Sequence, residues 1–162
     1  MRIDCTIDNK SISLNLNSIK PLSLVLKENF ESSYSVLPNC RGGLCGLCVV
    51  LLDGKAVLSC LIPAFEIQNK KIETFFSFKN GREMQDIQKA YSALSITPCS
   101  ECYEAKTLIF ESLLRQKDIT EEDVRRELGL IKCKCLTVQE AFSIIKKAQE
   151  FRKKRYSNAS RS

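Results

Sequence analysis

The sequence predicts an α+β protein in which a β-grasp half is followed by a half made of four helices. In the first part of the chain, apolar and polar residues alternate, which is the pattern of half-buried strands. From Met84 onward, apolar residues recur at intervals of three and four, which is the period of an amphipathic helix. A length of 162 residues suits one medium domain or two small ones.

The first segment predicts a hairpin that leads into a helix. Two alternating stretches flank the turn Asp8-Asn9-Lys10, and their apolar residues are Ile3, Cys5, Ile7, Ile12, Leu14 and Leu16. Ser23 has the side chain of an N-terminal cap, so we expect it to open a short helix from Leu24 to about Phe30. Two strands and one helix are therefore expected in this segment.

A second hairpin is predicted around Asp53-Gly54, because Asp-Gly is a preferred two-residue turn and apolar runs lie on both sides of it. A last strand is expected at about residues 70–75. Strands mixed with a single helix favour a β-grasp domain, which we predict to span residues 1–77.

The helical half is predicted to span residues 78–151. One face of its first helix carries Met84, Ile87, Tyr91 and Leu94. A longer helix is expected next, with Thr97 as its cap and Pro98 at its first position. The apolar stripe of this second helix consists of Ala105, Ile109 and Leu113.

Two more helices have start signals in the sequence. Thr120-Glu121-Glu122-Asp123 opens the third helix, and Gly129 can end it. Thr137-Val138-Gln139-Glu140 is a capping box that opens the fourth. Residues 152–162 are rich in Lys and Arg, and we expect them to form a disordered basic tail.

Composition excludes several classes of function. The formal net charge is +6, but much of it lies in the basic tail, which argues against a nucleic-acid-binding face. No apolar run approaches the length of a membrane span, and the first residues lack the apolar stretch of a signal peptide, so we expect a cytoplasmic location. Nine Cys without any His exclude His-dependent catalysis and indicate metal binding by thiolates, because disulfides are rare in that reducing compartment.

The first cysteine set has the spacing C-x4-C-x2-C-x11-C and consists of Cys40, Cys45, Cys48 and Cys60. Its first three members have the plant-type [2Fe–2S] spacing. Three glycines lie in the same loop. They let the backbone adopt positive φ and approach a cluster closely, so that its amides donate to sulfur.

The position of the fourth cysteine follows from the second hairpin. If Asp53-Gly54 forms the turn, pairing outward from it places Cys48 opposite Ser59 and Leu47 opposite Cys60. Cys60 therefore returns beside the loop. The alternative is a zinc knob or four unrelated core thiols, although zinc sites usually use paired short spacings and need no glycines around them.

The second cysteine set consists of Cys99, Cys102, Cys133 and Cys135. Cys99 and Cys102 are three apart and are expected on one face of the first helical turn after Pro98. Cys133 and Cys135 lie just before the last capping box, so two helix starts would flank one negatively charged [2Fe–2S] cluster. A zinc site with the same four thiolates, or inert thiols, is the alternative.

Cys5 is the ninth cysteine and belongs to neither set. Its place in an alternating strand predicts a small buried hydrophobic residue. The competing interpretation is a redox-active thiol, but Cys5 has no basic neighbours in the sequence that would lower its pKa.

The two cysteine sets, in this order and with these spacings, resemble the small iron–sulfur subunit of the molybdenum hydroxylases. This family comprises xanthine dehydrogenase, aldehyde oxidoreductase and carbon monoxide dehydrogenase. The resemblance covers about residues 1–150 and is strongest over residues 40–61, CRGGLCGLCVVLLDGKAVLSCL. It extends to Thr120-Glu121-Glu122 before the last cysteine pair. It implies a plant-ferredoxin-like domain over residues 1–77 and a four-helix bundle over residues 78–151.

The resemblance also implies a function and partners. Substrate would be hydroxylated at molybdenum on a large molybdopterin-binding subunit. Electrons would then pass through the cluster of the helical half and the cluster of the ferredoxin-like half to FAD on a medium subunit. The chain would be the electron-transfer subunit of the oxidoreductase, with two [2Fe–2S] clusters and no catalytic residue of its own, and would bind neither nucleic acid nor membrane.

The residues around the second cysteine set depart from the usual pattern of this family. Pro98 stands where the family has a Gln that reaches the pterin, and Ser100 stands where it has Gly. Tyr103-Glu104-Ala105 replaces Thr-Pro-Gly, and the segment 133–138 replaces Cys-Arg-Cys-Thr-Gly-Tyr. Two alternatives therefore stay open, namely a non-catalytic iron–sulfur redox adaptor for a divergent partner and a zinc-stabilised interaction module.

Overall fold

The computed structural model describes residues 1–17, 19–30 and 42–161 of the chain. The strands are β1 Arg2–Ile7, β2 Lys10–Asn15, β3 Val49–Leu52, β4 Lys55–Leu58 and β5 Lys71–Glu73. The α-helices are α1 Leu22–Asn29, α2 Phe75–Phe78, α3 Arg82–Leu94, α4 Tyr103–Leu114, α5 Glu121–Leu128 and α6 Val138–Ala159. Two short 3-10 helices between β4 and β5 are Ser59–Leu61 and Ala64–Ile67. None of the helices in these described ranges combines the length and apolar character that crossing a membrane requires.

The strands form one mixed sheet in the order β2-β1-β5-β3-β4. β1 pairs in parallel with β5 at the centre, whereas both hairpins are antiparallel. α1 packs on this sheet through Leu22, Val25 and Leu26, which share a hydrophobic cluster with Ile3 and Ile7 of β1. A helix packed on a mixed sheet whose first and last strands are central neighbours is the arrangement of a β-grasp fold. The predicted α+β class is confirmed.

Both hairpins turn on two residues with positive φ. Asp8 and Asn9 have φ values of 48° and 66°, and Asp53 and Gly54 have values of 49° and 84°. Two successive positive φ values are typical of a type I′ turn, whose twist matches that of the flanking strands. The strand register that follows from the second turn is the predicted one.

α6 is the longest helix among the described residues and packs against α3, α4 and α5. α3 and α4 also contact each other, because Oη of Tyr91 lies 2.8 Å from Oγ1 of Thr107. α5 and α6 both begin with capping boxes, in which the hydroxyls of Thr120 and Thr137 accept the amide of the third helical residue. Gly129 follows the last residue of α5. The signals predicted for these two helices are therefore confirmed.

One hydrophobic cluster joins the second hairpin to the helices. Val49 of β3 and Leu58 of β4 belong to the same cluster as Leu108 of α4 and Ile144 of α6. The sheet thus contributes apolar side chains to the core of the helical half, and the helices are packed on it. A domain boundary after residue 77 stays a prediction.

The helix α1 begins one residue before its expected cap. Pro21 is the N-cap residue, and its carbonyl oxygen accepts the amides of Leu24 and Val25. Ser23 is buried inside the first turn and makes no capping hydrogen bond. The prediction of Ser23 as the cap was wrong, because the extended backbone of Pro21 already sets the helix start at Leu22.

The helix α4 begins at Tyr103, so the start predicted at Pro98 was wrong. The segment before it forms a turn, in which the amide of Cys102 donates to the carbonyl oxygen of Cys99 at 3.2 Å. The same turn lets the amide of Cys99 donate to Sγ of Cys135 at 3.3 Å. This contact joins residues that are distant in sequence, so the local cap signal at Thr97 and Pro98 could not predict it.

The basic tail was expected to be disordered, but α6 continues to Ala159. The guanidinium of Arg152 is only 10% exposed and pairs with Asp86 of α3 and Glu111 of α4. Arg155 donates to the same Asp86 carboxylate at 2.8 Å. The prediction of a disordered tail was wrong because the side chains of Arg152 and Arg155 are paired with carboxylates and are not fully solvated. Ion pairs instead hold this part of α6 against the neighbouring helices.

Candidate metal centre

Four cysteine sulfurs lie together beside the starts of α4 and α6. The group whose Sγ atoms all lie within 4.8 Å of one another consists of Cys99, Cys102, Cys133 and Cys135. Sγ of Cys99 lies 3.4 Å from that of Cys102 and 3.5 Å from that of Cys133. Sγ of Cys102 lies 3.2 Å from that of Cys135. The structure thus brings together all four residues of the predicted second set.

Two chain segments present these sulfurs. Cys99 and Cys102 lie at the two ends of the turn that leads into α4, rather than inside its first helical turn. Cys133 and Cys135 lie in the loop between α5 and α6, shortly before the cap residue Thr137. Both segments therefore lead into a helix N-terminus, where the helix dipole favours negative charge.

The four cysteines differ in their exposure to solvent. Cys102 is fully buried, Cys99 and Cys133 are half-buried, and Cys135 is exposed. The group is therefore closed on the side of α4 and reaches the surface at Cys135.

Hydrogen bonds and burial act differently on the individual thiols. Burial opposes the ionisation of Cys135, but the amide of Cys99 and the thiol of Cys102 donate to its sulfur and lower its pKa to about 6. Burial instead raises the pKa of Cys102, and its contacts with Cys135 and Cys99 act in the same direction. Thiolates at these separations repel one another, so a bound cation would stabilise the fully ionised group.

Lys106 is a charged residue at this site that the sequence analysis missed. Its Nζ donates to Sγ of Cys135 at 3.2 Å and to the carbonyl oxygen of Cys133 at 3.1 Å. The residue is 1% exposed. Lys106 follows Cys102 by four residues, so both lie on one side of α4, and this spacing is the signal that could have found it.

The second hairpin brings Cys48 and Cys60 of the first set together. The amide of Cys60 donates to Sγ of Cys48 at 3.5 Å, and the amide of Ser59 donates to the carbonyl oxygen of Cys48 at 3.0 Å. The predicted return of Cys60 beside the loop is confirmed. Cys45 is half-buried in the same loop, and Cys40 lies outside the described residues.

The glycine loop of the first set contacts the loop that leads to the second. Gly46 has a φ of 73°, and a Cβ atom built on it would lie 1.9 Å from the carbonyl oxygen of Leu130. The carbonyl oxygen of Cys45 also accepts the amide of Lys132 at 3.3 Å. Since Lys132 directly precedes Cys133, one hydrogen bond links the backbones that carry the two cysteine sets.

Cys5 lies in β1 and is buried with only 6% exposure, as predicted. Burial raises the pKa of its thiol, and the nearby charge of Asp4 adds to this effect. A neutral, buried thiol is a poor nucleophile and a poor metal ligand. Cys5 therefore belongs to the core of the sheet.

The donor chemistry of the four-cysteine group fits an iron–sulfur cluster. Soft thiolate ligands select iron–sulfur clusters or zinc, and a [2Fe–2S] cluster needs four of them. The chain has no His that could replace a thiolate. The four thiolates alone fit both an iron–sulfur cluster and zinc, and the relatives of the chain distinguish between them.

The chain has relatives among known proteins that match it over most of its length. The xanthine dehydrogenase iron–sulfur-binding subunit of Escherichia coli O157:H7 is 32% identical over 140 residues, which cover 85% of this chain and 87% of that protein. A nicotinate dehydrogenase subunit of Pseudomonas putida is 26% identical over 153 residues, which cover 94% of this chain and 97% of that protein. No protein-family model matches the sequence.

The fold also matches a solved structure. The aldehyde oxidoreductase of Desulfovibrio desulfuricans superposes with a TM-score of 0.74 at 22% identity, over 94% of this chain. This chain spans only 17% of that oxidoreductase chain, so the likeness concerns one part of a larger protein.

The chain combines a β-grasp sheet and packed helices with a four-thiolate group that fits an iron–sulfur cluster. Together with its relatives, these features define an iron–sulfur component of an oxidoreductase. The chain belongs to the family of small iron–sulfur subunits of xanthine dehydrogenase and the related molybdenum hydroxylases. Its relatives are named as subunits, so larger partner subunits are part of the family's architecture.

Proposed function

We propose that the chain is the electron-transfer component of a xanthine dehydrogenase-type hydroxylase and carries two [2Fe–2S] clusters. Electrons pass from a molybdopterin-binding large subunit through this chain to an FAD-binding medium subunit. The observation that carries the proposal is the group of four cysteine sulfurs within 4.8 Å of one another, in a chain of this family.

The two cysteine sets divide the clusters between the two halves of the chain. The ligands proposed for the cluster in the helical half are Cys99, Cys102, Cys133 and Cys135. The ligands proposed for the cluster in the β-grasp half are Cys40, Cys45, Cys48 and Cys60. The bound clusters supply one-electron chemistry, and the chain sets their spacing, burial and hydrogen bonding.

Exposure supports contact with the large subunit beside the second set. Electron transfer requires a cofactor near the protein surface that faces its partner, and Cys135 is the exposed member of the set. Cys102 is fully buried at the start of α4, so it does not contribute to the proposed docking surface.

Exposed apolar side chains support contact with the medium subunit beside the first set. Leu44 is 70% exposed and directly precedes Cys45, and Leu61 is 58% exposed and directly follows Cys60. Large apolar side chains that remain in water beside two proposed ligands are typical of a protein–protein contact. A partner there would cover the edge of the first cluster.

The backbone contact between the two halves supports a path from one cluster to the other. The hydrogen bond from the amide of Lys132 to the carbonyl oxygen of Cys45 places the two ligand loops against each other. Gly46 packs directly on the carbonyl group of Leu130 in the same region. Such close packing supports transfer within the chain, because electron-transfer rates fall steeply with distance.

One observation favours a redox adaptor as the second candidate function. Pro98 is buried and directly precedes Cys99. Proline has neither a backbone amide hydrogen nor a polar side chain, so it cannot donate to a pterin. The adaptor would carry the same two clusters and would serve a partner without a standard molybdenum cofactor.

Metal and sulfide analysis of the anaerobically purified chain tests the proposal. Two [2Fe–2S] clusters require about four iron and about four acid-labile sulfide per chain, with visible absorption from sulfide-to-iron charge transfer. Stoichiometric zinc without sulfide would overturn the proposal in favour of the zinc-stabilised module. Molybdenum and FAD in the complex that co-purifies with the chain distinguish the hydroxylase from the adaptor. A cytoplasmic location forms part of the same proposal.

A further inference from the structure

The ammonium group of Lys106 is inside the protein and has no carboxylate partner among the described residues. Lys106 is 1% exposed, and within the described part of the chain its Nζ bonds only to Sγ of Cys135 and the carbonyl oxygen of Cys133. A buried charge is costly unless an opposite charge compensates it. The compensating anions that these contacts offer are the thiolates of the second cysteine set.

Arg152 is another buried cation of this protein, and its charge is compensated by carboxylates. Its guanidinium pairs with two buried carboxylates, those of Asp86 and Glu111. Lys106 lies on the same side of α4 as Cys102, and its side chain runs back toward the helix start, as long helical side chains do. Its position thus follows from the helix, and its charge faces the sulfur group.

We propose that Lys106 raises the reduction potential of the second cluster by donating a charge-assisted hydrogen bond to the sulfur of Cys135. The inference rests on the proposed function, because it requires that the four cysteines hold a [2Fe–2S] cluster. Lys106 is a positioning and tuning residue that acts through Cys135, and it touches neither substrate nor iron.

The direction of the effect follows from the charge of the cluster. With its four thiolates, an oxidised [2Fe–2S] cluster carries a formal charge of about −2, and one added electron reduces one ferric ion to ferrous and makes the charge about −3. A fixed positive charge stabilises the more negative form more strongly, and a buried site with low dielectric enlarges this difference. A hydrogen bond to a ligand sulfur acts in the same direction.

The test compares Lys106→Met with Lys134→Met in the purified chain that holds both clusters. Methionine keeps most of the side-chain volume and removes the charge and the donor. Lys134 lies between Cys133 and Cys135 but is exposed, so its removal changes the net charge equally while solvent and salt screen its effect. The two clusters are titrated with dithionite as the electron donor and followed by electron paramagnetic resonance. The Cys60→Ser variant assigns the signal of the second cluster.

We expect Lys106→Met to lower the equilibrium constant for reduction of the second cluster at least tenfold, which is about 59 mV for a one-electron couple. The first cluster should keep its potential, and Lys134→Met should shift the second by less than half as much. A second-cluster potential in Lys106→Met that equals that of Lys134→Met, or lies above it, overturns the inference.

A second measurement does not need the Lys106→Met protein to fold. The Lys134→Met chain is labelled with lysine that carries 15N at Nζ, and pulsed electron paramagnetic resonance is recorded on the reduced second cluster. A 15N coupling supports the hydrogen bond from Lys106, and its absence overturns the inference. Both results differ from failure of the proposed function, in which zinc replaces iron and sulfide and no cluster signal exists at all.

Discussion

Gly46 packs against the backbone of Leu130 so closely that a Cβ atom on Gly46 would lie 1.9 Å from the carbonyl oxygen of Leu130. Gly46 belongs to the loop of the first cysteine set, and Leu130 follows α5 and leads to the second set. The obstructing atoms are backbone atoms, which cannot rotate away as a side chain can. The contact therefore fixes how the two proposed cluster sites approach each other.

We expect Gly46→Ala to destabilise the fold by at least about 3 kcal/mol, because a positive φ and a backbone clash act together. Gly42→Ala is the matched control. Gly42 also has a positive φ, of 63°, but within the described part of the chain a Cβ atom there meets nothing within 4 Å. That variant should lose only about 1–2 kcal/mol from backbone strain. Denaturant unfolding of both variants measures the difference, and equal losses would contradict the role given to the contact with Leu130.

The ligand assignment of the first set predicts a pattern of cluster loss. Cys60→Ser should damage the first cluster as severely as Cys45→Ser, because the second hairpin returns Cys60 to Sγ of Cys48. Cys5→Ala should retain both clusters, since Cys5 is buried in β1 with the core of the sheet. Iron and sulfide content and the paramagnetic signals measure the outcome. Loss of a cluster in the Cys5 variant would show that the proposed ligand set is wrong.

The return of Cys60 could be predicted from the sequence because it depends on local structure alone. Asp53-Gly54 adopts the two-residue turn that an Asp-Gly pair favours. Strand pairing continued outward from this turn then brings Ser59 opposite Cys48. The capping boxes at Thr120 and Thr137 are local in the same way. Predictions of this kind need no knowledge of the rest of the chain.

The start of α4 and the role of Lys106 could not be predicted in this manner. Cys99 and Cys135 are 36 residues apart, and the hydrogen bond between them accompanies a turn where Thr97 and Pro98 favoured a helix start. Lysine on a helix is usually exposed, and the burial of Lys106 depends on residues 27 and 29 positions later. Both features depend on tertiary contacts, which cannot be predicted from local helix propensities.

The ion pairs of Arg152 predict a large loss of stability when its charge is removed. Arg152→Met leaves the carboxylates of Asp86 and Glu111 buried, each only 1% exposed. Among the described residues each then keeps one arginine partner, Arg155 for Asp86 and Arg115 for Glu111. Breaking a buried ion pair by removing one partner costs about 3–5 kcal/mol. Because Arg155 and Arg115 still neutralise part of the buried charge, we expect a loss at the lower end of this range, about 3 kcal/mol, in the free energy of unfolding.

The matched control for Arg152 is Lys147→Met on the same helix. Lys147 pairs with Glu150 at the surface, where the two side chains are 36% and 58% exposed. An exposed pair contributes about 1 kcal/mol or less, and added salt screens it. If both variants unfolded at the same denaturant concentration, the ion pairs of Arg152 would not be what holds the end of α6.

Pro98→Gln tests whether the residue before Cys99 matters to the cluster or only to the partner. The change leaves all four thiolates in place, and the amide of Cys99 can still donate to Sγ of Cys135. We therefore expect Pro98→Gln to keep the iron and sulfide of the second cluster.

Because Pro98 is buried, the new amide side chain should cost about 1–3 kcal/mol of stability. Thr97→Gln at the neighbouring exposed position is the control and should change stability by less than about 0.5 kcal/mol. Loss of the second cluster in Pro98→Gln alone would show that the proline shapes the ligand turn, and its replacement of the family's Gln would then concern cluster assembly rather than the pterin.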